Sequence, residues 1–186
     1  MSQKAVFLDR DGVINREVNN LKSIKQLRLL PNVATSIGKI NRLGFLLIVI
    51  TNQPVIARGW LTEMGLERIH RELMRRLAVK GAKIDEIYYC PHHPNANLKK
   101  YRVQCRCRKP NTGMIKAAAK KNAINLKKSF IIGDSTRDIL TGKRAKLKII
   151  LLKTGYAGQD GKYNVKPDFI AKDLSEAVKI IKKYAK

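Results

Sequence analysis

Apolar residues recur along the chain in short, nearly continuous runs of Val, Ile, Leu, Phe and Tyr: Ala5 to Leu8, Phe45 to Thr51, Ile84 to Tyr89, Phe130 to Gly133 and Leu147 to Leu152. Runs of that length and composition predict strands buried on both faces. Between them the spacing changes to a helical period. Asn32 predicts the cap of a helix to about Leu43, stopped by Gly44; Thr62 and Glu63 open another to about Lys80, stopped by Gly81. Further helices fit Gly113 to about Asn122, Thr136 to about Lys143, and Leu174 to the C-terminus, where Ala177, Ile180, Ile181 and Tyr184 share a face. Strand and helix in alternation predict an α/β fold, a Rossmann-like, doubly wound parallel sheet with helices on both faces. With no repeat and no long linker, residues 1–186 are expected to form a single domain.

Composition narrows the classes. At 186 residues and 44% hydrophobic the chain can bury a real core, which argues against wholesale disorder. No apolar run approaches the roughly 20 residues of a membrane span. The start, Met1-Ser2-Gln3-Lys4 leading into Ala5, does not read as a signal peptide, so a cytoplasmic protein without a membrane role is expected, a monomer being favoured. Three cysteines argue against a disulfide framework. The balance of 39 Lys and Arg against 14 Asp and Glu, a net +25, favours phosphate-bearing partners, from a sugar phosphate to nucleic acid. It bounds the partner's sign and not its identity.

In open α/β sheets ligands sit beyond the carboxyl ends of the strands, so the residues just after each run matter most. Four runs deliver Asp9-Arg10-Asp11-Gly12, Thr51-Asn52-Gln53, Cys90-Pro91-His92-His93 and Gly133-Asp134-Ser135, with Asp138 one turn on. Asp9, Asp11 and Asp134 would gather at one sheet edge and need a counter-charge. A hard divalent cation supplies it, and Mg²⁺, which keeps waters and works beside phosphates, suits so sparse a set.

These motifs occur in the order Asp-x-Asp-Gly, Thr, Lys, then Gly-Asp-x-x-x-Asp: residues 7–15, Ile50-Thr51-Asn52-Gln53, Arg108-Lys109-Pro110 and Ile132-Gly133-Asp134 to Asp138. The set resembles the haloacid dehalogenase-like (HAD-like) phosphohydrolases. The resemblance implies an aspartyl-phosphate mechanism in which Asp9 is the nucleophile and Asp11 the general acid and base. It further implies Mg²⁺ held by Asp9, the Asp11 carbonyl and Asp134, with Thr51 and Lys109 holding the transferring oxygens. Asp138 then orients the site or pairs with Lys109.

Cys90-x-His92 and Cys105-x-Cys107 supply four soft or borderline ligands in two close pairs, enough for a closed, structural Zn²⁺ site over a loop of about residues 90–108. His93 is spare. Because Cys107 runs straight into Arg108-Lys109, such a clamp would fix the catalytic lysine. The string Cys90-Pro91-His92-His93-Pro94 … Cys105-Arg106-Cys107-Arg108-Lys109-Pro110, with Ile56-Ala57-Arg58-Gly59, is similar to the D-glycero-D-manno-heptose-1,7-bisphosphate phosphatases and related histidinol-phosphatase domains. Three departures fall near the substrate: Arg16 to Leu21 where a Gly-Tyr-Val-like segment is usual, Pro54-Val55 in place of Ser-Gly, and Ser135 where Lys is frequent.

The 40 residues from Asp11 to Thr51 leave no room for an inserted cap domain, so an open cleft walled by the zinc loop and residues 16–26 is expected. Arg10, Asn52, Gln53, Arg58 and Arg108 are the candidate substrate contacts, the arginines for a second phosphate. Three functions follow: a Mg²⁺-dependent phosphatase removing the 7-phosphate of heptose 1,7-bisphosphate; the same chemistry on histidinol phosphate or another small phosphorylated metabolite; or, from another class, a nucleic-acid-binding protein or polynucleotide end-phosphatase. No stacking platform or RNP-like motif supports the third.

Overall fold

The structure, a computed structural model, describes residues 2–184. Six strands form one sheet: β1 (Ala5–Leu8), β2 (Leu46–Asn52), β3 (Glu86–Cys90), β4 (Phe130–Gly133), β5 (Lys148–Leu152) and β6 (Phe169–Ala171). Their order is β3-β2-β1-β4-β5-β6 and every pairing is parallel. The order reverses direction around β1, which places the switch point of the doubly wound fold between β1 and its neighbours.

Alternation within the strands builds two cores. Val6 and Leu8, Leu47 and Val49, and Phe130 and Ile132 face one layer; Phe7, Ile48, Ile50 and Ile131 face the other. Helices α1 (Val33–Arg42), α3 (Glu63–Ala78) and α6 (Leu174–Lys183) cover the first layer through Ile37, Ile40, Ile69, Leu73, Leu77, Ala177 and Ile181. Helices α4 (Gly113–Lys121) and α5 (Thr136–Ala145) cover the second through Ile115, Ala118 and Ile139. Strands buried on both faces explain why the sequence runs are continuously apolar.

The helix starts differ in kind. Thr62 caps α3 by accepting from the Gly65 amide at 3.0 Å, as its position before Glu63 suggests. Asn32 does not: it adopts a left-handed φ of 58° and makes no side-chain cap, so it turns the chain into α1 without capping it. Apart from three short 3-10 turns, one α-helix and one strand lack a sequence signal. One is α2 (Pro54–Ala57), a single turn started by the proline that stands in the Ser-Gly position. The other is β6, a three-residue edge strand with Ile170 55% exposed, too short to register as a buried run. The helix expected to reach the C-terminus is described to Lys183; residues 185–186 lie outside the described residues. No domain interrupts the connections from β1 to β2 or from β2 to β3, so the strand ends open directly on a cleft.

Candidate active site

Strands β1, β2 and β4 end side by side, and the residues after them close around one buried lysine. The Lys109 ammonium lies 2.8 Å from Asp9 Oδ2 and 2.6 Å from Asp138 Oδ1. Asn52 clasps the lysine's backbone, accepting from its N–H at 3.0 Å and donating to its carbonyl at 3.1 Å. Asp138 is fixed in turn by the Ser135 hydroxyl at 2.6 Å, so Ser135 and Asp138 close the first turn of α5 upon each other.

Asp134 completes the acidic group: carboxylate oxygens of Asp9, Asp134 and Asp138 all lie within 4.8 Å of one another. Burial, then the charges of Asp9 and Asp138, push Asp134 up to about 8. Burial also lifts Asp9 to about 6, against the pull of Lys109. Burial opposes ionisation of Asp138 and Lys109 as well, but their mutual attraction wins, holding the carboxyl low and the ammonium high. One lysine among three carboxylates leaves net negative charge, which is the condition that a bound cation relieves. Lys109 and Ser135 occupy Asp138, whereas the Asp134 carboxylate accepts, among the described residues, only the Tyr156 amide, at 2.8 Å on Oδ2. Asp9 and Asp134 are therefore the side chains suited to Mg²⁺. Space is kept for them by Gly12, with φ +77°, where an added Cβ would fall 2.1 Å from Asp134 Oδ2.

Asp11 faces another way. Arg10 folds back to give it a two-pronged contact, Nη2 to Oδ2 at 2.7 Å and Nε to Oδ1 at 3.1 Å, and Asn15 and Gln53 add donors at 2.8 and 3.1 Å. Burial works against its ionisation, yet the Arg10 charge and these donors hold its carboxyl below the ordinary range. Arg10 also reaches His70 Nε2 at 3.2 Å and Gln53 Oε1 at 3.1 Å, and is fully buried. It cannot serve as the substrate contact expected from sequence, because its donors already face protein partners. Gln53 is corrected for the same reason: its amide is spent on Asp11, Thr51 and Arg10. Asn52 lines the cleft but is committed to Lys109.

The cleft itself has a volume of about 350 Å³, and Asp9, Asp11, Thr51, Lys109 and Asp134 line it together with Arg58 and Arg108. Arg58 is held by Asn20 Oδ1 at 2.9 Å and by the Trp60 ring, 4.8 Å away; Arg108 donates to the His92 carbonyl at 2.9 Å. Sequence reasoning missed Arg137, Tyr156 and Lys162, which also line the cleft. The strand-end rule applied to β5 would have reached Tyr156, and Arg137 stands between Asp134 and Asp138 in the fourth motif.

Beside the cleft, Cys90, His92, Cys105 and Cys107 gather as expected. All four ligand atoms lie within 4.8 Å of one another, with contacts from 3.0 Å for Cys90–Cys107 to 3.7 Å for Cys90–His92, and the three thiols are unbridged. Ligands around tetrahedral zinc at about 2.3 Å stand about 3.8 Å apart, so the group suits that ion after slight expansion. The loop is tied to α3 by Glu63, which accepts from Tyr101 at 2.6 Å and Tyr89 at 2.8 Å.

Comparison with known proteins matches this layout. The HAD-hydrolase-like family profile matches residues 106–177, the stretch that holds Lys109, Asp134 and Asp138. The chain is 41% identical over 76% of its length, and 78% of the relative's, to a protein of Rhodopseudomonas palustris named D-glycero-beta-D-manno-heptose-1,7-bisphosphate 7-phosphatase. The chain belongs to the heptose-1,7-bisphosphate 7-phosphatase family.

Family members named for the other anomer are equally similar: D-glycero-alpha-D-manno-heptose-1,7-bisphosphate 7-phosphatase of Photorhabdus laumondii is 41% identical over 82% of the chain and 84% of the relative. Among solved structures, the D,D-heptose 1,7-bisphosphate phosphatase of B. bronchiseptica, complexed with magnesium and phosphate, superposes with a TM-score of 0.85 at 29% identity, covering 97% and 99% of the two chains. As a family member the protein is a phosphoric monoester hydrolase. No helix among the described residues is long and apolar enough to cross a membrane.

Proposed function

We propose that this phosphatase removes the 7-phosphate of D-glycero-D-manno-heptose 1,7-bisphosphate through a phosphoenzyme on Asp9. The supporting observation is a pair of facing charge systems in one cleft. On the floor stand Asp9, Lys109 and Asp134. On the rim stand Arg108, Arg137 and Lys162, with no carboxylate within ion-pair distance among the described residues. Arg137 Nε is buried without a hydrogen-bond partner among the described residues. Its charge, followed by burial, depresses Lys162, and after burial it is the main depressant of Arg108. Arg137 is itself held high, against burial, by the charges of Asp138, Asp9 and Asp160, so it sits between floor and rim; Arg108 and Lys162 beside it leave positive charge that suits a substrate with a second phosphate.

The chemistry follows from the floor. A carboxylate oxygen of Asp9 attacks the 7-phosphorus and the bond to the sugar oxygen breaks; Asp11, which Arg10 holds as a carboxylate in the free site, must first take up a proton from solvent as the anionic substrate binds, and it passes that proton to the leaving oxygen. Lys109 and Thr51 bear the charge on the transferring oxygens. Water then attacks the aspartyl phosphate, Asp11 takes the water's proton, and the bond to Asp9 breaks to release inorganic phosphate. Asp9 and Asp134 would hold Mg²⁺, with the Asp11 carbonyl as a third ligand, and the ion would supply neutralisation between the nucleophile and the phosphate.

Parallel phosphate-release assays on both anomers of heptose 1,7-bisphosphate, on histidinol phosphate and on a 3′-phosphorylated oligonucleotide test the reading. A heptose 1-phosphate product with little release from the others supports it; faster release from histidinol phosphate or the oligonucleotide overturns it.

A further inference from the structure

Arg10 is fully buried, so its N–H groups must find partners inside the protein. Nε and Nη2 fork onto Asp11, and Nη2 also meets Gln53 Oε1 at 3.1 Å. Nη1 lies outside that fork. It reaches His70 Nε2 at 3.2 Å, across 60 positions of the chain. His70 belongs to α3, whose other buried residues are Leu66, Ile69, Leu73 and Leu77, and it is itself only 6% exposed. A guanidinium donates and cannot accept, so Nε2 accepts from Arg10 and the ring proton sits on Nδ1. Tyr89 of β3 flanks the imidazole edge-on, with ring centroids 6.0 Å apart, and its hydroxyl is tied to Glu63 at 2.8 Å.

These contacts run in a line from helix to cleft: His70 to Arg10 to Asp11. Asp11 lines the cleft, whereas Arg10 and His70 do not. A general acid works only when its oxygen is within hydrogen-bond reach of the departing oxygen, so the direction of the Asp11 carboxylate matters as much as its charge. Asn15 and Gln53 each give that carboxylate one donor, at 2.8 and 3.1 Å, but Arg10 Nη2 meets both of its oxygens, at 2.9 and 2.7 Å. The plane of the guanidinium therefore sets the plane of the carboxylate. Among the described residues, His70 is the partner that fixes the guanidinium at Nη1.

We propose that His70 is a positioning residue for proton transfer: as a neutral acceptor it holds Arg10 in the orientation that aims Asp11 at the leaving oxygen. The proposal rests on the reading of Asp11 as general acid and does not depend on which alkyl phosphate the cleft hydrolyses.

The dependence of kcat/KM on the leaving group tests this. That ratio covers the steps up to departure of the leaving group, and p-nitrophenolate departs without an acid whereas an alkoxide does not. His70→Leu deletes the acceptor and keeps an apolar helix face. It should lower kcat/KM about tenfold on the alkyl phosphate that the wild type turns over, heptose 1,7-bisphosphate on this account, and less than about twofold on p-nitrophenyl phosphate. His70→Gln, which restores an acceptor, should bring both values back to within about threefold of wild type. Equal losses on the two substrates in His70→Leu, or no recovery in His70→Gln, would reduce His70 to a packing residue and overturn the proposal. Asp11→Asn is the reference and should show the same leaving-group preference more strongly. If it does and His70→Leu does not, the proposal falls alone; if Asp11→Asn shows no preference, the reading of Asp11 falls and takes the proposal with it.

Discussion

The Lys109 ammonium stands 2.6 Å from the Asp138 carboxylate, and both residues are only 2% exposed. The same ammonium holds Asp9 at 2.8 Å, so one buried cation spans the proposed nucleophile and the helix that carries Asp138. Lys109→Met keeps the stem and deletes the charge. It should abolish phosphate release and cost about 3–5 kcal/mol of stability at pH 7, because two buried carboxylates lose their partner. Lowering the pH should recover part of that loss as the carboxylates take up protons. Urea midpoints at pH 7 and 5 read this directly; an equal deficit at both would contradict the charge argument.

Arg10 serves Asp11 and not the substrate. Arg10→Lys retains a positive charge but loses the two-pronged grip, so kcat should fall roughly tenfold to a hundredfold with KM little changed. Steady-state kinetics on the bisphosphate separate the two. A rise in KM at constant kcat would return Arg10 to the substrate.

His70 gives the acid limb of stability a named source. Burial, then the Arg10 charge, pushes its imidazole down to about 3 from the ordinary 6.5. Between those values the unfolded chain binds a proton that the folded one refuses, so the stability is fully present above pH 6.5 and declines as pH falls. The slope is about 1.4 kcal/mol per pH unit. His70→Gln keeps an acceptor for Arg10 and removes the titration; between pH 6.5 and 5 it should lose about 2 kcal/mol less than wild type. Parallel stability curves would show that His70 is not the source.

The zinc loop is joined to the cleft through Arg108 and Lys109. Purified protein should hold one zinc per chain by elemental analysis. Cys107→Ser should lower the melting temperature and reduce turnover on the order of a hundredfold, a cost ordinary for an ångström-scale misplacement of a catalytic group. Metal-free protein with normal melting and turnover would remove zinc from the account.

The strands were legible because a parallel sheet buried on both faces writes itself as uninterrupted Val, Ile, Leu and Phe, and the carboxylates because they follow those runs directly. β6 was not, being a short edge with one face in solvent. The direction of Arg10 could not be read either: adjacency to Asp11 is visible in sequence, but the side chain's return onto its neighbour depends on His70 and Gln53, distant in the chain. Arg137 and Lys162 were hidden by abundance. Among 39 basic residues, the few that face the cleft carry no contrast until folding sorts them.

The central claim is that Asp9 carries the phosphoryl group. Acid quenching during turnover of substrate labelled at the 7-phosphate, followed by peptide mapping, tests it. The account predicts a base-labile acyl phosphate on the peptide containing Asp9, absent from the Asp9→Asn protein. Label on another residue, or an Asp9→Asn variant that still releases phosphate at near wild-type rate, would contradict it.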